Sequence, residues 1–215
     1  MTDTPRIEPS VMAGNPCPFL RGLAERGLIS AEVDPLDHLS STVAAAFSDD
    51  ERAAEQKAVY LVALGANGIG PLDLNRNRTH GLRVSELRGG PLDKLGSGSR
   101  ILDADGEVVL AELDRLDDFA IDCRPAGTSE TTETERGLQS QHLKTMMDAN
   151  FERAAATRRR IDRKMMDAEW PNLLRAMAKQ GADGPYLSVA EVRELFIDRR
   201  LPDRVLNRID EAPES

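Results

Sequence analysis

Asn15-Pro16-Cys17-Pro18-Phe19-Leu20-Arg21-Gly22-Leu23-Ala24 sets a cysteine between two prolines and starts an amphipathic pattern directly behind it. Pro18 suits the first turn of a helix, where its missing N–H costs nothing. Phe19, Leu20, Leu23 and Leu28 recur at helical spacing, and Gly27 stands near the expected end. A helix that starts at Pro18 makes Cys17 its N-cap. Unbonded backbone N–H groups and the positive end of the helix dipole then face the sulfur and favour the thiolate.

Helical patterns continue outward from this stretch. Residues 31–50 are mixed, with Pro35 as a break and a short apolar piece from Val43 to Phe47. Residues 52–66 read as the most buried helix, because Ala58, Val59, Leu61, Val62, Ala63 and Leu64 leave almost no polar face. Asn67-Gly68-Ile69-Gly70-Pro71 stops it. Residues 71–106 are rich in turn residues, and 109–120 return to helical spacing through Leu110, Leu113, Leu116 and Phe119. Residues 124–135 read as a polar loop. From 136 to about 180 an apolar stripe (Leu138, Met146, Met147, Phe151, Ile161, Met165, Leu173, Met177) predicts a long helical region, kinked or restarted at Pro171. Ser188 and Glu191 form the pattern of a capping box for a last helix that Pro202 ends. No strand alternation stands out. The expectation is one all-α domain over residues 1–215, with loose tails at 1–14 and 210–215 and a long irregular loop in the middle.

Composition narrows the function classes. A net charge of −9 argues against nucleic acid as a partner, since phosphate binding needs a basic surface. No apolar run approaches the length of a membrane span, so no transmembrane segment is expected. The first residues lack a basic n-region and an apolar h-region, which points to a cytoplasmic chain. Two cysteines, Cys17 and Cys123, do not make a disulfide scaffold. His38 and His142 read as satisfied or exposed histidines rather than catalysts.

A thiolate held in preset geometry is what an axial iron ligand requires, whereas a small buried thiol at a helix entrance is the plainer reading of Cys17. The run from Asn15 through Gly27-Leu28-Ile29 resembles the opening of the haem-thiolate peroxidases, the family of chloroperoxidase and the unspecific peroxygenases. Ala66-Asn67-Gly68-Ile69-Gly70 is similar to that family's Asn-Gly segment. Leu187-Ser188 through Phe196, then Arg200-Leu201-Pro202, is similar to its closing helix. The resemblance implies an all-α fold with haem b between helices and Cys17 as the proximal ligand to iron. It also implies hydrogen peroxide as a substrate, with a small organic molecule or a halide as the group oxidised.

The same resemblance implies further site residues. The family's acidic motif, which orders a divalent cation at a haem propionate, has its counterpart in Asp93-Lys94-Leu95-Gly96-Ser97-Gly98-Ser99-Arg100. Asp93, Lys94 and Ser97 are the cofactor-binding candidates. Lys94 and Leu95 stand where the family has His or Gly and then Asp, so Lys94 would meet a propionate directly. Glu169 is the candidate distal acid and base, on the same side of its helix as Met165 and Asp162. Asp162 occupies a position where the family often has Arg.

Ile101 through Glu112 offers a different chemistry. Asp103, Asp105, Gly106, Val108 and Glu112 stand at the third, fifth, sixth, eighth and twelfth places of an EF-hand loop, with Ile101 in the first, where the leading acid belongs. Asp183-Gly184 through Glu191 gives a second, displaced echo. The alternative function is therefore a non-catalytic helical module that binds calcium through Asp103, Asp105 and Glu112, or that binds a protein partner.

Overall fold

The computed structural model describes residues 15, 17–66, 81–84, 97–103, 105–128 and 133–212. It begins as the sequence leads one to expect. Helix α1 (Pro18–Glu25) carries Pro18 in its first turn, and Cys17 is its N-cap in extended conformation, φ −92° and ψ 109°. At its far end Leu28 N–H bonds to Leu23 O, and Gly27 N–H bonds to Ala24 O. This pair of bonds satisfies the last carbonyls of the helix.

Phe19, Leu23 and Ala24 face the core. A Cβ at Gly22 would lie 3.0 Å from Leu201 and 3.2 Å from Leu195, so glycine lets α1 pack closely on the C-terminal part of the chain. Strand β1 (Val33–Asp34) pairs with β2 (Leu82–Arg83) in a two-residue antiparallel ladder. Helices α2 (Leu36–Ala45) and α3 (Asp49–Ala66) follow β1 and pack on one another.

Helix α3 departs from its sequence reading. It forms, but Leu61 and Val62 are 62% and 58% exposed. An all-apolar stretch says that a helix wants cover on every side; it does not say that the fold supplies it. The Asn67–Pro71 stop lies outside the described residues.

The all-α expectation is overturned. Short helices α4 (Leu110–Asp114) and α5 (Leu116–Phe119) lead into strand β3 (Ile121–Cys123), which begins a four-stranded antiparallel sheet of order β3-β4-β6-β5. Strand β4 is Glu135–Leu138, β5 is Lys179–Gly181 and β6 is Gly184–Ser188. Gly137 pairs with Ile121 on one side and with Ser188 on the other. The strands are three to five residues long and partly polar, too short to show a period-two pattern. The segment 124–135, expected as a polar loop, therefore ends at Glu135, the first residue of the inner strand β4. Asp183-Gly184, the second calcium echo, is the turn of the β5–β6 hairpin.

The long helical region of 136–180 is divided. Helix α6 (Ser140–Arg153) and helix α7 (Arg160–Met177) are separated by turns at 154–159, and α7 runs through Pro171. Helix α8 (Val189–Ile197) begins after Ser188, but its capping box does not form. Ser188 Oγ donates to Glu135 instead, and Glu191 pairs with Arg204. Pro202, expected to end that helix, is the N-cap of a further one, α9 (Asp203–Asp210).

Helices α6, α7 and α8 pack against the sheet. Buried residues from Phe19 to Leu206 join in one hydrophobic cluster, so α1 and the sheet share a core. No described helix is long and apolar enough to cross a membrane.

Candidate functional site

Cys17 is half-buried, and its side chain packs against the core cluster. Its backbone is fixed by Asn15, a fully buried side chain whose Oδ1 accepts the Cys17 N–H at 2.8 Å. Asn15 Nδ2 donates to Val84 O at 2.8 Å. Arg21, 4% exposed, reaches back along the helix, with Nε donating to Asn15 O at 2.8 Å and Nη1 to Gly106 O at 2.8 Å. The cysteine therefore stands at a helix N-terminus between segments held together by buried side-chain bonds.

The other expected site residues divide. Asp93 and Lys94 lie outside the described residues. Ser97 is fully buried, and its hydroxyl bonds to Asp162, which is also fully buried. Burial pushes the Asp162 carboxyl up. The Arg159 N–H at 2.8 Å, the Arg159 guanidinium at 2.7 Å and the Ser97 hydroxyl outweigh it, so the group is held below the usual carboxylate range. Ser97 thus joins the loop before Arg100 to the first turn of α7. Glu169 lies on the exposed side of α7, while Met166 and Trp170 beside it are buried.

Of the expected calcium ligands, Glu112 turns toward Arg153, with contacts of 2.5 and 2.9 Å. That pairing is the main cause holding its carboxyl below the ordinary range. Asp103 Oδ1 accepts the N–H groups of Asp105 and Glu107, each at 2.9 Å, closing a tight turn. Among the described residues no group of three or more His, Cys, Asp or Glu side chains is placed to hold a metal ion. His38 bonds to buried Asp34 at 2.8 Å, and His142 sits in the first turn of α6 against Gln139.

The sequence reading missed a polar cluster on the sheet. Glu135 accepts from Lys179 Nζ at 2.8 Å, Tyr186 OH at 2.7 Å and Ser188 Oγ at 2.7 Å. Lys179 also meets Glu191 at 3.3 Å, and Arg204 pairs with both Glu191 oxygens at 2.7 and 2.6 Å. Burial pushes the Glu135 carboxyl up, but its three donors more than compensate, and it sits below its ordinary value of 4.5. Burial, then the Glu135 carboxylate, raises the Tyr186 phenol and keeps it a donor. The signal was present: Tyr186 stands between apolar strand residues, and a buried phenol needs a partner.

Comparison with protein-family models, with characterised proteins and with solved structures returns no match.

The fit of a haem can be tested on the donor set. A protein holds haem iron on its proximal side with a single axial ligand, because the porphyrin supplies four nitrogens. One half-buried cysteine at a helix N-terminus, with no group of three His, Cys, Asp or Glu among the described residues, suits that demand better than it suits a caged ion, which needs three or four converging side chains. On the distal side, Glu169 faces water rather than the core.

Proposed function

We propose that this chain is a haem-thiolate oxidoreductase of the peroxidase or peroxygenase type, with Cys17 as the axial ligand. Hydrogen peroxide would be one substrate and a small organic molecule or a halide the other. The observation that carries the reading is the placement of Cys17 as N-cap directly before Pro18. In that position Cys17 stands at the positive end of the helix dipole, although its sulfur caps none of the first-turn N–H groups. Haem, when bound there, would supply the redox chemistry.

The chain's own residues do three things. Cys17 would hold the iron through its sulfur. Asn15 and Arg21 fix the backbone on which it sits. The apolar side chains of α1 turn into the core and set the helix that aims the sulfur. Support for the reading is confined to this proximal half. Glu169, on the exposed side of α7, adds nothing to it. The calcium-binding alternative gains no support either, since Glu112 is engaged by Arg153 and Asp103 by its own turn.

The test is haem titration of the purified chain, followed by reduction under carbon monoxide. A Soret band with the red shift of a trans thiolate is expected, and Cys17→Ser should abolish that shift. A chain that takes up no haem, or a spectrum indifferent to Cys17→Ser, would contradict the proposal.

A further inference from the structure

We propose that the cleft between α4, α5, α6 and the loop before Asp103 binds a phosphate-type dianion, with Arg115 as its principal donor. Ser99, Glu112, Arg115 and Asn150 line the cleft, backed by the buried side chains of Leu116 and Met146. Its volume is about 10 Å³, room for one oxygen-sized group.

An orphaned donor is the first observation that points to an anion. Arg52, Arg115 and Arg124 each have a buried Nε with no hydrogen-bond partner among the described residues, and of the three only Arg115 lines this cleft. Glu112 Oε2 lies 3.7 Å from it, beyond hydrogen-bond reach. A buried N–H left unmade is costly, and a charged oxygen is its strongest acceptor. Asn150, 4% exposed, adds a second donor. Arg153 Nη1 holds its Oδ1 at 3.2 Å, which leaves the amide NH2 to be satisfied. Ser99 adds a hydroxyl.

The second observation is charge. Arg153 meets Glu112 at 2.5 and 2.9 Å, Arg115 stands 3.7 Å away, and Arg100 adds to the positive field on the same carboxylate. Three guanidiniums thus surround one carboxylate, an excess of two positive charges in a chain whose net charge is −9. Asp114 and Asp117, on the same pair of helices, are engaged by Arg193 and Arg136. An excess of two matches hydrogen phosphate or a phosphomonoester, whose oxygens suit the guanidinium fork. One oxygen fills the cleft and the others face the guanidiniums around Glu112. Glu112, read from sequence as a calcium ligand, is then the carboxylate that holds Arg153 at an anion site. Nothing in this site depends on Cys17.

The test is calorimetric titration of the full-length chain at constant ionic strength and about pH 8, where inorganic phosphate and methyl phosphate are both dianions. Each should give a saturable one-to-one isotherm, and dimethyl phosphate, a monoanion, should bind about tenfold more weakly. Arg115→Met should weaken phosphate binding about tenfold, as expected for one charged hydrogen bond. Ser99→Ala should show a smaller loss, and it decides the matter if Arg115→Met does not fold. Lys144→Met removes an exposed cation of α6 that does not line the cleft, and should leave binding unchanged. Absence of saturable binding, equal affinity for dimethyl phosphate, or an isotherm that the cleft substitutions do not move would overturn the proposal. So would an equal loss in Lys144→Met, which would mean diffuse charge attraction.

Discussion

Cys17 is the residue at which sequence and structure agree most closely. Proline before and after it, and an apolar period behind it, place a helix start there by backbone chemistry alone. Its neighbours were not legible, because Asn15 and Arg21 act through contacts with Val84 and Gly106, far away in sequence. Gly137 shows the same limit. The sequence reading set it inside the helical region from 136, yet it lies in β4, and a Cβ there would come within 2.5 Å of the Tyr186 ring and 2.7 Å of the Cys123 sulfur. Gly137→Ala should therefore cost about 1–3 kcal/mol in chemical denaturation, the usual range for overpacking. Glu135 makes a prediction in pH. Its folded pKa lies below its ordinary value of 4.5, so its contribution to stability is present above that value and is lost as pH falls through the folded one. Denaturation midpoints measured from pH 6 downward should fall more steeply for the wild-type chain than for Glu135→Gln. Equal slopes would mean that the three donors do not favour the charged form.

At the scale of elements, pattern reading found helices and misjudged their surroundings. Helix α3 carries the apolar run Ala58–Leu64, but it leaves Leu61 and Val62 exposed, whereas Leu195 on α8 has no exposed surface at all. Leu61→Gln should change stability by less than about 0.5 kcal/mol. Leu195→Ala should cost about 2–5 kcal/mol. Similar losses for the two would return α3 to the interior. The failed capping box has a physical reason as well. Ser188 Oγ donates to Glu135 rather than accepting an N–H at the start of α8, and Glu191 accepts from Arg204 rather than from the Ser188 N–H. Arg204 also bonds to the carbonyls of Met177 and Ala178, where α7 ends, and Arg208 to that of Ala176. Helix α9 thus supplies cations to the negative end of α7. Arg204→Met leaves Glu191 and these carbonyls short of a donor and should cost about 1–3 kcal/mol.

For the whole molecule, the helix-rich composition was a fair guide to most of the chain and concealed the sheet. Strands of three to five residues, two of them opening on Glu135 and Lys179, carry no period that a sequence window can detect. Tertiary pairing decides them, with β4 set between β3 and β6 and Glu135 accepting from Tyr186 and Ser188 on β6 and from Lys179 on β5. The shared core links α1, and so Cys17, to the sheet and to α8 and α9. The placement of Cys17 at a helix start was legible because it is local: one cysteine, one proline and one helix start. The proposed function can be tested at that point without reference to the rest of the fold. Haem should be titrated into the full-length chain and into Cys17→Ser, and the reduced carbon monoxide spectra compared. A thiolate-type red shift in the first, lost in the second, is the expected result; no haem uptake, or the same spectrum in both, would contradict the account.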